Sequence, residues 1–229
     1  DDLRFMPQIC EKGFPFLSGP FEKCPLKLGL YPVVDSYAWV EKLLKLGVKT
    51  IQLRIKDRGR PDLYSEISRS AVLAQKFGAR LFIDDHYELA IKAGAYGVHL
   101  GMEDLMHADL DAILKAHLRL GVSTHGPYEM LKALQLNPSY IALGHVFPTN
   151  SKKMKSSPQG ISKLRAQSDM LNRIGMSTVA IGGIKLHNAE EVLKTKVGSV
   201  ALITGITQVS DPELETRKWL ELLSQYTED

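Results

Sequence analysis

Residues 178–205 read TVAIGGIKLHNAEEVLKTKVGSVALITG. Thr178–Ile181 and Ser199–Ile203 are short apolar runs of strand length, and Asn188–Lys194 between them has helical length. A strand, a helix and a second strand predict a parallel pair, because the crossover must return the chain to the same end. Each run stops at small residues: Gly182-Gly183 after the first, Thr204-Gly205 after the second.

The same alternation extends back to Leu28. Strands are expected at Gly29–Val34, Thr50–Arg54, Arg80–Ile83, Gly97–Leu100, Arg119–Ser123 and Tyr140–Leu143, which with the two above makes eight. Helices are expected at Ser36–Leu46, Asp62–Phe77, Tyr87–Ala93, Asp109–Ala116, Pro127–Leu136, Ile161–Arg173, Asn188–Lys194 and Pro212–Tyr226. Ser36 and Asp62 stand at helix starts, and Gly47, Gly78 and Gly94 at helix ends. Eight βα units in ~200 residues suit a closed (βα)8 TIM barrel. An open doubly wound sheet would carry a glycine fingerprint after its first strand, and Val34-Asp35-Ser36 has none.

The expected domain therefore runs over 28–229. Residues 1–27 read as an irregular arm, since Pro7, Pro15, Pro20 and Pro25 interrupt every candidate element. Of the 229 residues, 44% are hydrophobic and 24% charged, as in an ordinary globular chain. The net charge of +3 gives no broad polycationic surface for nucleic acid. No apolar run is long enough to span a membrane, and no signal peptide is expected in Asp1–Phe16 as written, so a cytoplasmic location is the default. The chain opens on Asp1, not Met, which is compatible with trimming. Cys10 and Cys24 both precede the barrel segment and make no disulfide framework.

In a barrel of this kind the chemistry lies at the C-terminal ends of the strands. Gly182-Gly183 and Thr204-Gly205 end neighbouring strands 7 and 8, where backbone amides can cradle a phosphate. Gln52, Arg54 and Lys56 alternate along and beyond strand 2, so their side chains are expected at the barrel mouth. A buried arginine there needs an anionic partner. Lys152 lies in the long polar loop after strand 6. Asp84 and Asp85 end strand 3 and Asp104 follows strand 4, so carboxylates from adjacent strands can meet around magnesium. His99, His125 and His145 sit on separate strands or strand ends and read as packing or loop residues, not zinc ligands. Amides for a monophosphate beside cations and magnesium for a diphosphate imply two phosphorylated substrates, or one with phosphates at both ends, and departure of a diphosphate under electrostatic stabilisation. No carboxylate–histidine or serine–histidine pair stands at a spacing that announces acyl transfer, and no cysteine is expected in the barrel.

Five ordered segments carry a resemblance: Gln52-Leu53-Arg54-Ile55-Lys56; Gly97-Val98-His99-Leu100-Gly101 with Glu103-Asp104; Gly121-Val122-Ser123-Thr124-His125; Phe147-Pro148-Thr149-Asn150-Ser151-Lys152; and Ala180-Ile181-Gly182-Gly183-Ile184. From about Leu28 to Gln208 the chain resembles the thiamine-phosphate synthase family of TIM-barrel enzymes, which join the pyrimidine and thiazole halves of thiamine. The resemblance implies that the segment Gln52-Leu53-Arg54-Ile55-Lys56, with Asp84, Ser123 and Lys152, meets the pyrimidine diphosphate. Arg54, Lys56, Lys152 and Ser123 would carry the catalysis. Asp85 and Asp104 would be the Mg2+ ligands. Thr149, Asn150, Ser151, Gly183, Ile203 and Thr204 would contact the thiazole phosphate. The implied reaction is dissociative: pyrophosphate departs, and the thiazole nitrogen attacks a pyrimidine methyl cation.

One departure matters. The family usually has Asn then Asp at the end of strand 3, whereas here both are aspartate. An ionised Asp84 only accepts hydrogen bonds, and its charge must be offset by a metal or a cation. Met102 and Ser151 replace common Gln and Thr. The rival readings are a thiazole tautomerase-like barrel, a non-catalytic thiamine-phosphate-binding regulator, and an unrelated phosphate-binding barrel such as a sugar-phosphate epimerase. The partners expected are the phosphorylated small molecules, with self-association compatible and no nucleic acid or membrane.

Overall fold

Strands buried on both faces must be covered twice, once by side chains inside the sheet and once by helices outside it. The computed structural model, which describes residues 14–15, 17, 19–149 and 156–226, meets that demand with a closed barrel. Its strands are β1 (Gly29–Val34), β2 (Thr50–Leu53), β3 (Arg80–Asp84), β4 (Gly97–Leu100), β5 (Arg119–Thr124), β6 (Tyr140–Leu143), β7 (Ser177–Ile181) and β8 (Ser199–Leu202). All neighbours are parallel and in chain order, and β1 closes on β8 with Gly29 opposite Ser199. The closed ring excludes the open doubly wound sheet.

The helices are α1 (Tyr37–Lys45), α2 (Leu63–Lys76), α3 (Tyr87–Ala93), α4 (Met102–Leu105), α5 (Leu110–Lys115), α6 (Pro127–Leu134), α7 (Gly160–Arg173), α8 (Leu186–Leu193), α9 (Thr204–Thr207) and α10 (Pro212–Ser224). Eight agree with the expected helices to within two residues at every end. The single turns α4 and α9 were not expected, being too short to show a period. Ser36 and Asp62 do precede helices, but neither side chain caps one. Glu66 accepts from the Tyr37 amide at 2.7 Å instead, and Arg60 holds Asp62. Gly47, Gly78 and Gly94 have φ of 96°, 58° and 61°, the left-handed stop that glycine makes cheaply.

Alternate strand residues serve two cores. Leu53, Ile83, Val98, Val122, Leu143 and Val200 pack with Leu43, Ile67, Ile113, Leu171 and Trp219 of the helices. Inside the barrel, Tyr31, Phe82 and Tyr140 fill the lower space with Ala142, Val179 and Ala201. Phe82 and Tyr140 meet edge to face at 5.1 Å between centroids. Neighbouring strands make room with glycine: a Cβ on Gly97 would lie 2.6 Å from the Phe82 ring, and one on Gly121 would overlap Tyr140.

Among the described residues before β1 there is neither helix nor strand, yet Phe14, Phe21, Cys24 and Leu28 are buried. This segment crosses the N-terminal ends of the strands. The Leu28 amide donates to Ser199 Oγ at 2.7 Å, Thr50 Oγ1 donates to the Leu28 carbonyl at 2.8 Å, and Phe21 N donates to Asn137 O. A Cβ on Gly198 would overlap the Leu26 carbonyl. Cys24 thereby joins the interior cluster, which corrects the expectation of a barrel interior free of cysteine. It is unpaired, and Cys10 lies outside the described residues. Among the described residues, no helix is long and apolar enough to cross a membrane.

Candidate active site

The ladder continues one residue past β2, where Arg54 N donates to the Val34 carbonyl at 2.7 Å. That fixes the backbone of Arg54 beside the end of β1. Its Nε donates to Asp84 Oδ2 at 2.9 Å, so the anionic partner expected for the arginine is supplied by the chain itself. Asp84 is 8% exposed. Burial, then the neighbouring charge of Asp85, pushes its carboxyl up to about 7 against the opposing pull of Arg54.

Asp85 has φ 61°, a left-handed conformation that aspartate tolerates at some cost. It is held there by its amide, which donates to the His99 carbonyl at 3.1 Å, and by Tyr87 N, which donates to its own carbonyl. Burial and the charge of Asp104 raise its carboxyl above the usual range. Asp104 sits in α4. Arg58 Nη2 lies 3.9 Å from Asp85 Oδ2 and 3.9 Å from Asp104 Oδ1, so carboxylates from the ends of β3 and β4 converge on one positive charge. Among the described residues, no three His, Cys, Asp or Glu are arranged to hold a metal ion. Two converging carboxylates nevertheless fit the hard-oxygen chemistry of magnesium, which takes one or two from a protein and completes its shell with water and phosphate oxygens.

The floor of the site is a buried relay. Gln52 Nε2 makes a long contact of 3.5 Å with Tyr31 Oη, which is 2.7 Å from Tyr140 Oη. Tyr140 Oη is 2.6 Å from His99 Nδ1, and His99 Nε2 is 2.7 Å from Ser123 Oγ. The amide of Gln52 can only donate here, and each hydroxyl has a single proton to pass on. With a neutral imidazole, the tautomer sets the direction: either Tyr140 donates to His99 Nδ1 and Nε2–H donates to Ser123, or Nδ1–H donates to Tyr140 and Ser123 donates to Nε2. Burial holds both phenols well above their ordinary range, which keeps them protonated donors. His99 is thus not a simple packing residue: it touches an expected site residue.

The third part is the glycine turn after β7. Gly182 and Gly183 have φ of 105° and 66°. A Cβ on Gly182 would collide with His145, and one on Gly183 would come 2.5 Å from the Pro148 carbonyl. Val146 N and Phe147 N donate to the carbonyls of Ile181 and Gly182 at 3.0 Å, so the strand-6 loop lies directly on the turn. Ile203 precedes α9, and a Cβ on Gly205 would approach the Ile184 carbonyl at 3.3 Å. A cavity of about 410 Å³ beside this junction is lined by Lys185, His187, Thr204, Gly205 and Gln208 among others.

Of the expected residues, Gln52, Arg54, Asp84, Asp85, Asp104 and Ser123 are linked through these contacts. Lys56 is exposed on the rim, and Leu53 and Ile55 are buried in the outer core, away from a ligand-facing role. Thr149 and Gly183 are half-buried, as are Ile203 and Thr204. Asn150, Ser151 and Lys152 lie outside the described residues. The loop leaves from a pinned base, where Gln159 N and Gly160 N donate to His145 O and Val146 O at 2.9 Å. His125 is paired with Glu129 at 3.0 Å, and His145 is buried with Nδ1 lacking a hydrogen-bond partner among the described residues.

The family model described as thiamine monophosphate synthase matches residues 30–206, from β1 into α9. The chain belongs to this family. It is 53% identical over 206 residues to the thiamine-phosphate synthase of Photorhabdus laumondii, covering 90% of this chain and 94% of that one. With the thiamine-phosphate synthase of Proteus mirabilis it shares 54% over 204 residues, 89% and 93% of the two chains. The solved thiamine phosphate pyrophosphorylase of Pyrococcus furiosus superposes with a TM-score of 0.75 at 28% identity, covering 87% of this chain and 97% of that one. All three parts of the site fall inside the family match; most of the N-terminal segment and all of α10 fall outside it.

Within this family member, sequence reasoning missed Tyr31, Tyr140 and Arg58. The tyrosines carry no local signal, since what marks Tyr140 is Gly121 on the adjacent strand. Arg58 follows Lys56 by two residues, beyond the end of β2, where no strand period marks it.

Proposed function

We infer that this chain is a thiamine-phosphate synthase, a transferase joining 4-amino-2-methyl-5-hydroxymethylpyrimidine diphosphate to 4-methyl-5-(2-hydroxyethyl)thiazole phosphate. The observation that carries the reading is the convergence of Arg54, Asp85, Asp104 and Ser123 at one barrel mouth in a member of this family. In the reaction, the bond between the pyrimidine methylene carbon and the diphosphate oxygen breaks, and its electron pair leaves with pyrophosphate. The thiazole nitrogen then gives its lone pair to the methylene carbon. Arg54, Lys56 and Lys152 stabilise the charge on the leaving group. Asp85 and Asp104 would hold a magnesium ion, whose chemistry is to neutralise diphosphate oxygens. Ser123, held by His99, contacts the pyrimidine diphosphate, and Gln52 borders the same floor. Gly183, Ile203, Thr204 and the segment Thr149–Lys152 receive the thiazole phosphate, with a cytoplasmic enzyme and no nucleic acid implied. The division into an arm at 1–27 and a catalytic domain at 28–229 belongs to the same reading.

The test is direct. Purified protein given both phosphorylated halves and magnesium should release pyrophosphate and form thiamine phosphate. Tight binding of thiamine phosphate without turnover would replace the enzyme by a regulator, a reading that the Arg54–Asp84 pair favours because it engages a catalytic cation internally.

A further inference from the structure

Five charged side chains meet at the ends of β2, β3 and β4. Arg54 and Arg58 supply two guanidiniums; Asp84, Asp85 and Asp104 supply three carboxylates. Lys56, exposed at the rim, pairs with none of these five and stands outside the cluster. The best shielded contact is Arg54–Asp84, whose side chains are 22% and 10% exposed. Arg58 is 68% exposed and stands at 3.9 Å from its partners, so its contribution is small. As formal charges the cluster is negative by one. An approaching diphosphate therefore meets repulsion at the place where its arginine lies. A divalent cation on Asp85 and Asp104 turns the same cluster positive by one.

Geometry adds to this. Asp84 takes the Nε edge of Arg54, leaving the four hydrogens of the two terminal nitrogens for a second acceptor. Asp84 therefore does not block the guanidinium; it cancels its charge. We propose that Asp84 makes the hold of Arg54 on a diphosphate conditional on a divalent cation at Asp85 and Asp104, so that cation and diphosphate are gripped together and neither tightly alone. The inference rests on the diphosphate site proposed above and adds an order to it. Coupling of this kind is reciprocal, so the diphosphate must raise the affinity for the cation by the same factor. It also gives product release a route: loss of the cation restores the repulsion and expels pyrophosphate.

The experiment is calorimetric titration of inorganic pyrophosphate into the full chain, with chelator and then with magnesium. Asp84→Asn keeps an acceptor for Arg54 Nε and removes the charge. It should bind metal-free pyrophosphate about tenfold or more tightly than the natural chain, since one nearby negative charge is gone. With magnesium the two proteins should agree within about threefold, so the magnesium effect shrinks in the variant. Equal or weaker metal-free binding by Asp84→Asn overturns the proposal and leaves Asp84 as an orienting group only. Failure of both proteins to bind pyrophosphate even with magnesium sinks the diphosphate site itself, a different result. Circular dichroism checks the fold of the variant, and Asp84→Ser, which also removes the charge, repeats the comparison if the asparagine protein does not fold.

Discussion

Asp84 is where this chain spends stability. A buried carboxyl raised from 3.8 to about 7 is costly while ionised, and each tenfold change in proton affinity is worth about 1.4 kcal/mol. Because the folded value lies above the unfolded one, the folded state binds the extra proton between them. The cost is therefore fully present above the folded value and is relieved as pH falls toward the unfolded one. Asp84→Asn removes this titration but leaves Arg54 without a charged partner, which returns part of the gain. We expect the metal-free variant to melt ~2–6 °C above the natural chain at about pH 8. The gap should close toward about pH 5. Thermal melts of both proteins across that range check it; a gap that widens on acidification would show that the Arg54 pair lowers the Asp84 carboxyl instead.

At the scale of the element, the β7–α8 turn shows how a local signal becomes a site. The glycine pair is visible in the sequence, but a tight turn would explain it equally well. What the fold adds is the strand-6 loop lying on it, close enough that a side chain at Gly183 would strike Pro148 and Phe147. Gly183 is thus required twice, by its positive φ and by the approach of that backbone. Gly183→Ala should cost about 1–3 kcal/mol of stability. It should also raise KM for the thiazole phosphate by about fivefold or more while kcat falls less, as expected when binding and not chemistry is disturbed. Steady-state kinetics with a melt alongside decide it, and an unchanged KM would remove this turn from the phosphate site. Elements were readable for the same local reason. Strand and helix periods lie within a few residues of one another, so eight units and most of their ends could be placed. The single turns α4 and α9 carry no period, and α4 is the one that delivers Asp104.

The whole molecule has two ends with different tasks. The C-terminal mouth collects charge; the N-terminal mouth is sealed by the segment that precedes β1. Cys24 and Leu28 are buried in the interior cluster and Phe21 in the outer core, and burial pushes the Cys24 thiol up to about 12. A thiol so placed is neither ionised nor reachable while the seal holds. One thiol fewer should therefore react with Ellman's reagent in the folded chain than in guanidinium, and its slow reaction should follow opening of the seal. Immediate reaction of every thiol under native conditions would show that the segment does not close the barrel.

What the sequence determined by itself was everything written in short-range periods: the number and order of the strands, the helices between them, and the strand ends where Arg54, the aspartates and the glycine pair belong. Those features depend on neighbours within one turn or one pleat, and a linear pattern records them. Only the tertiary structure decided which of these groups touch. Arg54 and Asp84 are 30 residues apart, Tyr31 and Tyr140 are 109 apart, and Leu28 and Ser199 are 171 apart. The register between adjacent strands and the closure of β1 on β8 set those contacts. A buried charge finds its partner, and a buried hydroxyl its acceptor, only once closure has removed the water that would otherwise serve both.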